Sequence, residues 1–216
     1  VKEPNYFSKE ELKSQKLYYN SKNVVSEKDY HNLFKTNDEK KKLGEASVSY
    51  LFYPKVSNRI FKYNKASKII ILLRNPVDRA FSHYLHSKRD GHEKESFERA
   101  IKLEQKRLSE HMLDNDFISE LRFSYISQGL YYKMLKSYLK FYDLNDFLII
   151  NFDKEISNNM HIALDRVSEF LDIDINSELS DIHSNKSGVS KSKSLNNLIL
   201  KENVFLTYCF NKIINL

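Results

Sequence analysis

Residues 69–88 read IIILLRNPVDRAFSHYLHSK, and their pattern decides the fold. Five apolar residues, Ile69 to Leu73, come first. The run is too short for a membrane span and suits a strand buried on both faces. Arg74, Asn75 and Pro76 follow. Asn75 can cap a helix, and Pro76 suits the first helical position, where a missing N–H costs nothing. Helical spacing then places Val77, Phe81, Tyr84, Leu85 and Lys88 on one side, and Asn75, Arg79, Ser82 and His86 on another. Arg74 therefore leaves the carboxyl end of a strand beside the positive end of a helix, with Ser82 facing outward. In open α/β sheets, ligands sit at that edge. A guanidinium, a hydroxyl and a helix dipole together favour an anion, foremost a phosphate. Taken alone, most junctions of this kind are ordinary strand–helix turns whose arginine makes a surface ion pair.

Working outward, FLIINF at 147–152 reads as a second buried strand. Between the two strands, Phe97, Ile101, Leu108 and Met112 recur at helical intervals, and residues 117–129 are less regular. Leu130, Met134, Leu135, Tyr138, Leu139 and Tyr142 mark an amphipathic helix. Met160, Ala163, Val167, Phe170 and Leu171 mark the next. A strand, a helical crossover and another apolar strand predict an α/β fold, a central parallel sheet flanked by helices, in one domain over 1–216. Upstream, VKEPNYFS at 1–8 reads as a strand end running into a turn at Pro4, with Glu3 an acid beside that turn. Residues 9–19, 26–34 and 55–63 carry helical spacing, and GEASVSYLFY at 44–53 is a short strand or an irregular segment. Residues 195–214 return to a helical apolar stripe that is expected to pack on the sheet.

SNKSGVSKSKS at 184–194 is unusual in composition. It is either a plain flexible loop or a loop that closes over an anion, with Lys186, Lys191, Lys193 and backbone N–H groups as donors. The whole chain is mildly basic, with 35 Lys+Arg against 29 Asp+Glu and a net charge of +6. That balance fits an anionic ligand, but the charges are mixed and form no aromatic–basic stripe, which argues against nucleic acid. The single cysteine, Cys209, excludes an internal disulfide and a thiolate zinc cluster, and it favours a reducing, cytoplasmic setting. No apolar run of membrane length is present, so no membrane segment is expected.

The motifs, taken in order, resemble the PAPS-dependent sulfotransferases, particularly the bacterial and heparan sulfate enzymes. KEPNYFS at 2–8 is similar to the family's KEPHFF segment, and GEASVSYL at 44–51 to its GE-S-P-x-Y-L segment. LLRNPVDRAFSHY at 72–84 resembles the motif that binds the cofactor's 3′-phosphate. The stretches 126–142, 147–154 and 167–174 fit the usual run toward the C-terminus, and NKSGVSKSKSL at 185–195 resembles a basic loop that closes near the cofactor.

This resemblance implies a fold similar to the nucleotide kinases and transfer of a sulfuryl group from PAPS to a hydroxyl or amine, leaving PAP. It implies Arg74 and Ser82 as ligands of the 3′-phosphate, and Gly188, Lys191 and Lys193 as the closing loop. Lysine stands there where arginine is commoner, which keeps charge but loses the bidentate fork. It implies Glu3 as general base and a carbohydrate as the class of acceptor. Ala46 follows Glu45 where carbohydrate enzymes can carry a lysine. His83 and His86 read as surface or structural residues. The family's phosphosulfate loop precedes the KEP segment, and nothing in this chain supplies it. The chain is therefore expected to be N-terminally incomplete. The alternative is a non-catalytic remnant that keeps the 3′-phosphate site.

Overall fold

The computed structural model describes residues 1–12, 24, 26–36, 38, 41–113 and 117–175. The chain enters with Lys2 bridged in parallel to Ala46. It then turns through Tyr6–Ser8 into α1 (Lys9–Leu12), followed by α2 (Glu27–Asn32), α3 (Ser49–Phe52) and α4 (Pro54–Tyr63). The stretch 44–53 is thus one bridging residue followed by a helical turn. An aromatic core holds this part together: Phe7, Leu12, Tyr30, Tyr50, Tyr53 and Val56 are buried against one another. Arg59 of α4 clamps α1 with a two-point bond to Glu11, at 2.6 and 2.9 Å, and donates to the Phe7 carbonyl at 2.7 Å.

β1 (Ile69–Leu73) follows, then α5 (Pro76–Arg89), α6 (Phe97–Leu113), α7 (Phe117–Phe123) and α8 (Tyr131–Tyr138). β2 (Phe147–Asn151) returns alongside β1 in parallel, Ile69 opposite Phe147 and Leu73 opposite Asn151. Parallel neighbours require a long crossover, and the four helices supply it. α9 (Met160–Leu171) covers one face of the pair, setting Ala163, Val167 and Phe170 on Ile70, Leu148 and Ile150. On the other face Phe147 meets the rings of Tyr138 and Tyr142 edge-on. The expected α/β architecture is therefore present. Burial on both faces is incomplete: Ile150 is 2% exposed, but Leu72 is 55% exposed and Ile149 43%. Two strands form the sheet among the described residues, so the helices reach only part of each face.

The face of α5 that packs overlaps only in part with the one its apolar spacing suggested: Tyr84 and Leu85 pack, and Ala80 and Ser87 join them. Ala80, Tyr84 and Ser87 are buried, whereas Val77 and Phe81 are exposed. Tyr84 packs on Phe97 and Tyr125, which places α6 and the 124–130 segment against the helix on that side. Regularity also extends into 117–129, as α7 and a 3₁₀ turn at Ser127–Gly129. Glu93, 3% exposed, anchors this region. It accepts two bonds from Arg107, at 2.6 and 3.2 Å, and one from the fully buried Tyr125 at 2.9 Å. Burial pushes its carboxyl up, but the bonds from Arg107, the Glu95 N–H and Tyr125 outweigh it and hold the group below the usual range.

Candidate functional site

Arg74 stands at the carboxyl edge of the sheet, one residue past β1. Its carbonyl accepts the Tyr131 hydroxyl at 3.0 Å, so the first residue of α8 fixes its backbone. Its guanidinium lies 5.4 Å from the centre of the Phe152 ring. Arg74 Nε is 3.6 Å from Asp153 Oδ1, an ion pair too long for a hydrogen bond, and Nε is buried without a hydrogen-bond partner. The terminal nitrogens of Arg74 make no hydrogen bond among the described residues. A cation held this way, half exposed and with donors to spare, is suited to an anion.

The start of α5 offers less than its dipole promised. Asn75 Oδ1 takes the N–H groups of Val77 at 2.9 Å and Asp78 at 3.4 Å, Pro76 has none to give, and the Arg79 N–H bonds the Asn75 carbonyl at 2.9 Å. The first-turn donors are thus spent internally. What remains for an anion is the dipole, the guanidinium and the Ser82 hydroxyl. Ser82 lies seven residues past the cap, about 10 Å along the axis at the usual helical rise. It is half-buried, and its hydroxyl has no partner among the described residues.

Arg79, placed on the outward face by its spacing, instead clamps the loop that follows α7. It donates to the carbonyls of Tyr125 and Ser124 and to Gln128 Oε1 at 3.2 Å. Glu104 of α6 takes the same loop from the other side, accepting the N–H groups of Ile126 at 2.7 Å and Ser127 at 2.9 Å. The clamp brings Gly129 against the start of α5, where a Cβ would stand 3.0 Å from Pro76 Cβ. Neither role had a signal in local spacing, because both depend on which helices become neighbours. His83 faces Tyr125 and is driven down to about 4 by burial, then by Arg79 and His86, so it is neutral at pH 7. His86 is exposed and pairs with Asp90 at 3.1 Å. Both histidines are structural or surface groups.

Glu3 sits in a second polar cluster. Its φ is +55°, a left-handed conformation costing a non-glycine residue roughly 1–2 kcal/mol. Backbone bonds impose it: Glu3 N–H donates to the Ala46 carbonyl at 2.7 Å, and Ala46 N–H to the Val1 carbonyl at 2.9 Å. Glu3 Oε2 accepts the Val48 N–H at a long 3.4 Å. Burial raises the carboxyl above its ordinary value, more than the Val48 bond and Lys2 lower it. Glu45 lies in the same cluster, held by the hydroxyls of Tyr30 at 2.6 Å and Tyr50 at 3.0 Å. Its carboxyl is raised chiefly by burial, with the Glu3 charge adding to the shift. The two subsites share α8: Tyr131 at its start holds the Arg74 carbonyl, and Tyr138 at its end donates to the Tyr50 carbonyl at 2.9 Å.

Gly188, Lys191 and Lys193 lie outside the described residues, as does the stripe at 195–214. Among the described residues no helix is long and apolar enough to cross a membrane, and no group of three His, Cys, Asp or Glu side chains could hold a metal ion.

The family of the sulfotransferase domain matches residues 1–204. Among solved structures, a sulfotransferase from Alicyclobacillus acidocaldarius superposes with a TM-score of 0.69 at 27% identity, covering 92% of this chain and 77% of that one. No curated protein sequence matches. Family match, fold and the ordered motifs around Arg74 agree: this chain belongs to the sulfotransferase domain family.

Proposed function

We propose that the protein moves a sulfuryl group from PAPS to a hydroxyl, or an amine, of a carbohydrate acceptor. The observation that carries this is the Arg74 guanidinium at the sheet's carboxyl edge, with its terminal nitrogens unpaired among the described residues. Arg74 donors and a Ser82 hydroxyl that have no hydrogen-bond partner among the described residues fit a phosphate ester. In this reading Arg74 and Ser82 bind and orient the 3′-phosphate, each charge-assisted bond being worth roughly 1.5–3 kcal/mol. Gly188, Lys191 and Lys193 close over the donor, which when bound supplies the activated sulfuryl group and leaves as PAP.

Glu3 holds the acceptor hydroxyl and takes its proton. A carboxyl raised by burial is the better base near neutral pH, and a strained backbone is common where a side chain must be aimed. The carbohydrate class follows from Glu3 standing where the glycosaminoglycan enzymes carry their base. Calorimetry with adenosine 3′,5′-bisphosphate tests the donor site: wild type binds, and Arg74→Ala loses at least tenfold in affinity. Equal affinity in the two sinks the assignment. Transfer of labelled sulfate from PAPS to polysaccharides by the full-length gene product tests the chemistry. Binding without any transfer would mark a non-catalytic PAP-binding module instead.

A further inference from the structure

We propose that Asp153 is the positioning residue that aims Arg74, an inference that rests on Arg74 being the anion-binding cation. Asp153 lies in a single π-helical turn, Phe152–Ile156, directly after β2. Such turns are rare and concentrate at functional sites. This one is stiffly supported. Asn151 caps it by accepting the Lys154 N–H at 3.0 Å, and Glu155 accepts the Asn151 N–H at 2.8 Å. Arg166 of α9 bonds the other oxygen of Glu155. The turn therefore presents its side chains from a fixed frame, opposite the end of β1.

The two oxygens of Asp153 divide their work. Oδ2 accepts the Asn75 N–H at 2.7 Å, joining the ends of the two strands. Oδ1 faces the guanidinium of Arg74 at Nε, at 3.6 Å. Phe152, the preceding residue of the same turn, places its ring 5.4 Å from the guanidinium carbon. Charge at one edge and a ring at one face restrict how the guanidinium can turn. A carboxylate that met both terminal nitrogens would use up the fork that arginine offers to phosphate. Asp153 does not: the terminal pair makes no hydrogen bond among the described residues. The carboxylate holds the rear of the guanidinium and leaves the front for a dianion.

The opposite role is also physically defined. Asp153 would then be a resident anion that competes with phosphate for Arg74, and removing its charge would tighten binding. Calorimetry and competition with adenosine 3′,5′-bisphosphate and with adenosine 5′-monophosphate separate the two, because only the first carries the 3′-phosphate. For Asp153→Asn the expected result is about a tenfold loss toward the bisphosphate, no change toward the monophosphate, and no further loss when Asp153→Asn is added to Arg74→Ala. Asp153→Glu, which keeps the charge but displaces it, should fall between. Tighter bisphosphate binding by Asp153→Asn overturns the proposal. So does equal loss toward both nucleotides, which marks a purely structural residue. So does unchanged binding, and so does a variant that no longer folds while Asp153→Glu binds with wild-type selectivity. If Arg74→Ala itself keeps the preference for the bisphosphate, the anion-site reading has failed at its root, and this one with it.

Discussion

Replacing Arg79 by methionine keeps the length of the side chain and removes its donors. The wild-type guanidinium serves the carbonyls of Tyr125 and Ser124 and the Gln128 side chain, and Tyr125 is fully buried. A buried acceptor left without its donor costs about 1–3 kcal/mol. Against this, Arg79 is itself poorly solvated: burial pulls its pKa down, more than Tyr131 and Glu104 raise it, and its Nε is buried without a partner. Relief of that strain offsets part of the loss, leaving a net destabilisation of about 2–3 kcal/mol. For a domain of this size that corresponds to roughly 4–12 °C in Tm. Urea unfolding followed by far-UV dichroism should show a lower midpoint with unchanged slope. Hydrogen exchange should show lost protection at 124–130, while the amides of β1 and β2 fall only with the global stability. Arg79→Lys should recover part of the midpoint, because it keeps the charge without the fork. A midpoint within 0.5 kcal/mol of wild type, as expected for a surface change, would refute the clamp.

Glu3→Gln should lower sulfate transfer by about 10²–10⁴-fold while leaving adenosine 3′,5′-bisphosphate binding intact, and a rate that is unchanged would remove Glu3 as the base. The wild-type rate should rise with pH through the folded pKa of Glu3, which lies above the ordinary carboxylate value, and that limb should vanish in the variant. His83, depressed to about 4, contributes stability that is complete above its ordinary 6.5 and is lost as pH falls toward 4, on the order of 3 kcal/mol in all. His83→Phe should flatten that part of the stability profile; the same slope in both proteins would assign it to other groups. Glu93 has the usual carboxylate sign, its pKa being lowered, so its contribution is full at neutral pH and is lost as pH drops through its folded pKa. Glu93→Gln strands Arg107 and should cost roughly 3–5 kcal/mol at pH 7, with less further loss in acid than wild type shows. Chemical unfolding at pH 7 and pH 4 reads both.

Much of this protein follows from local pattern. The run Ile69–Leu73 is a strand because β-branched and apolar residues without a helical gap bury best in a pleated ribbon. Asn75 and Pro76 start a helix because one caps and the other needs no donor. The second strand at 147–151 and the helix at 160–171 follow from the same short-range rules, and with them the parallel pair. Arg74 and Ser82 could be singled out because their place relative to a strand end and a helix start is set within a dozen residues.

Other roles could not be read that way, because they depend on partners distant in sequence. Arg79 and Ser82 share one helical face by spacing, yet one became a clamp and the other stayed open, because the 124–128 loop returned to one of them only. Asp153 carried no signal, since its meaning lies 78 residues away at Asn75, and at the neighbouring Arg74. Glu45 likewise acquires its phenol partners from Tyr30 and Tyr50 only when α2 and α3 pack together. Sequence alone determined the elements and the chemistry of the groups at their ends, because those depend on backbone preference and capping over a few residues. Tertiary structure alone decided which charges are clamped, which are buried and which keep donors to spare, because desolvation and hydrogen-bond satisfaction depend on whatever segment packs alongside.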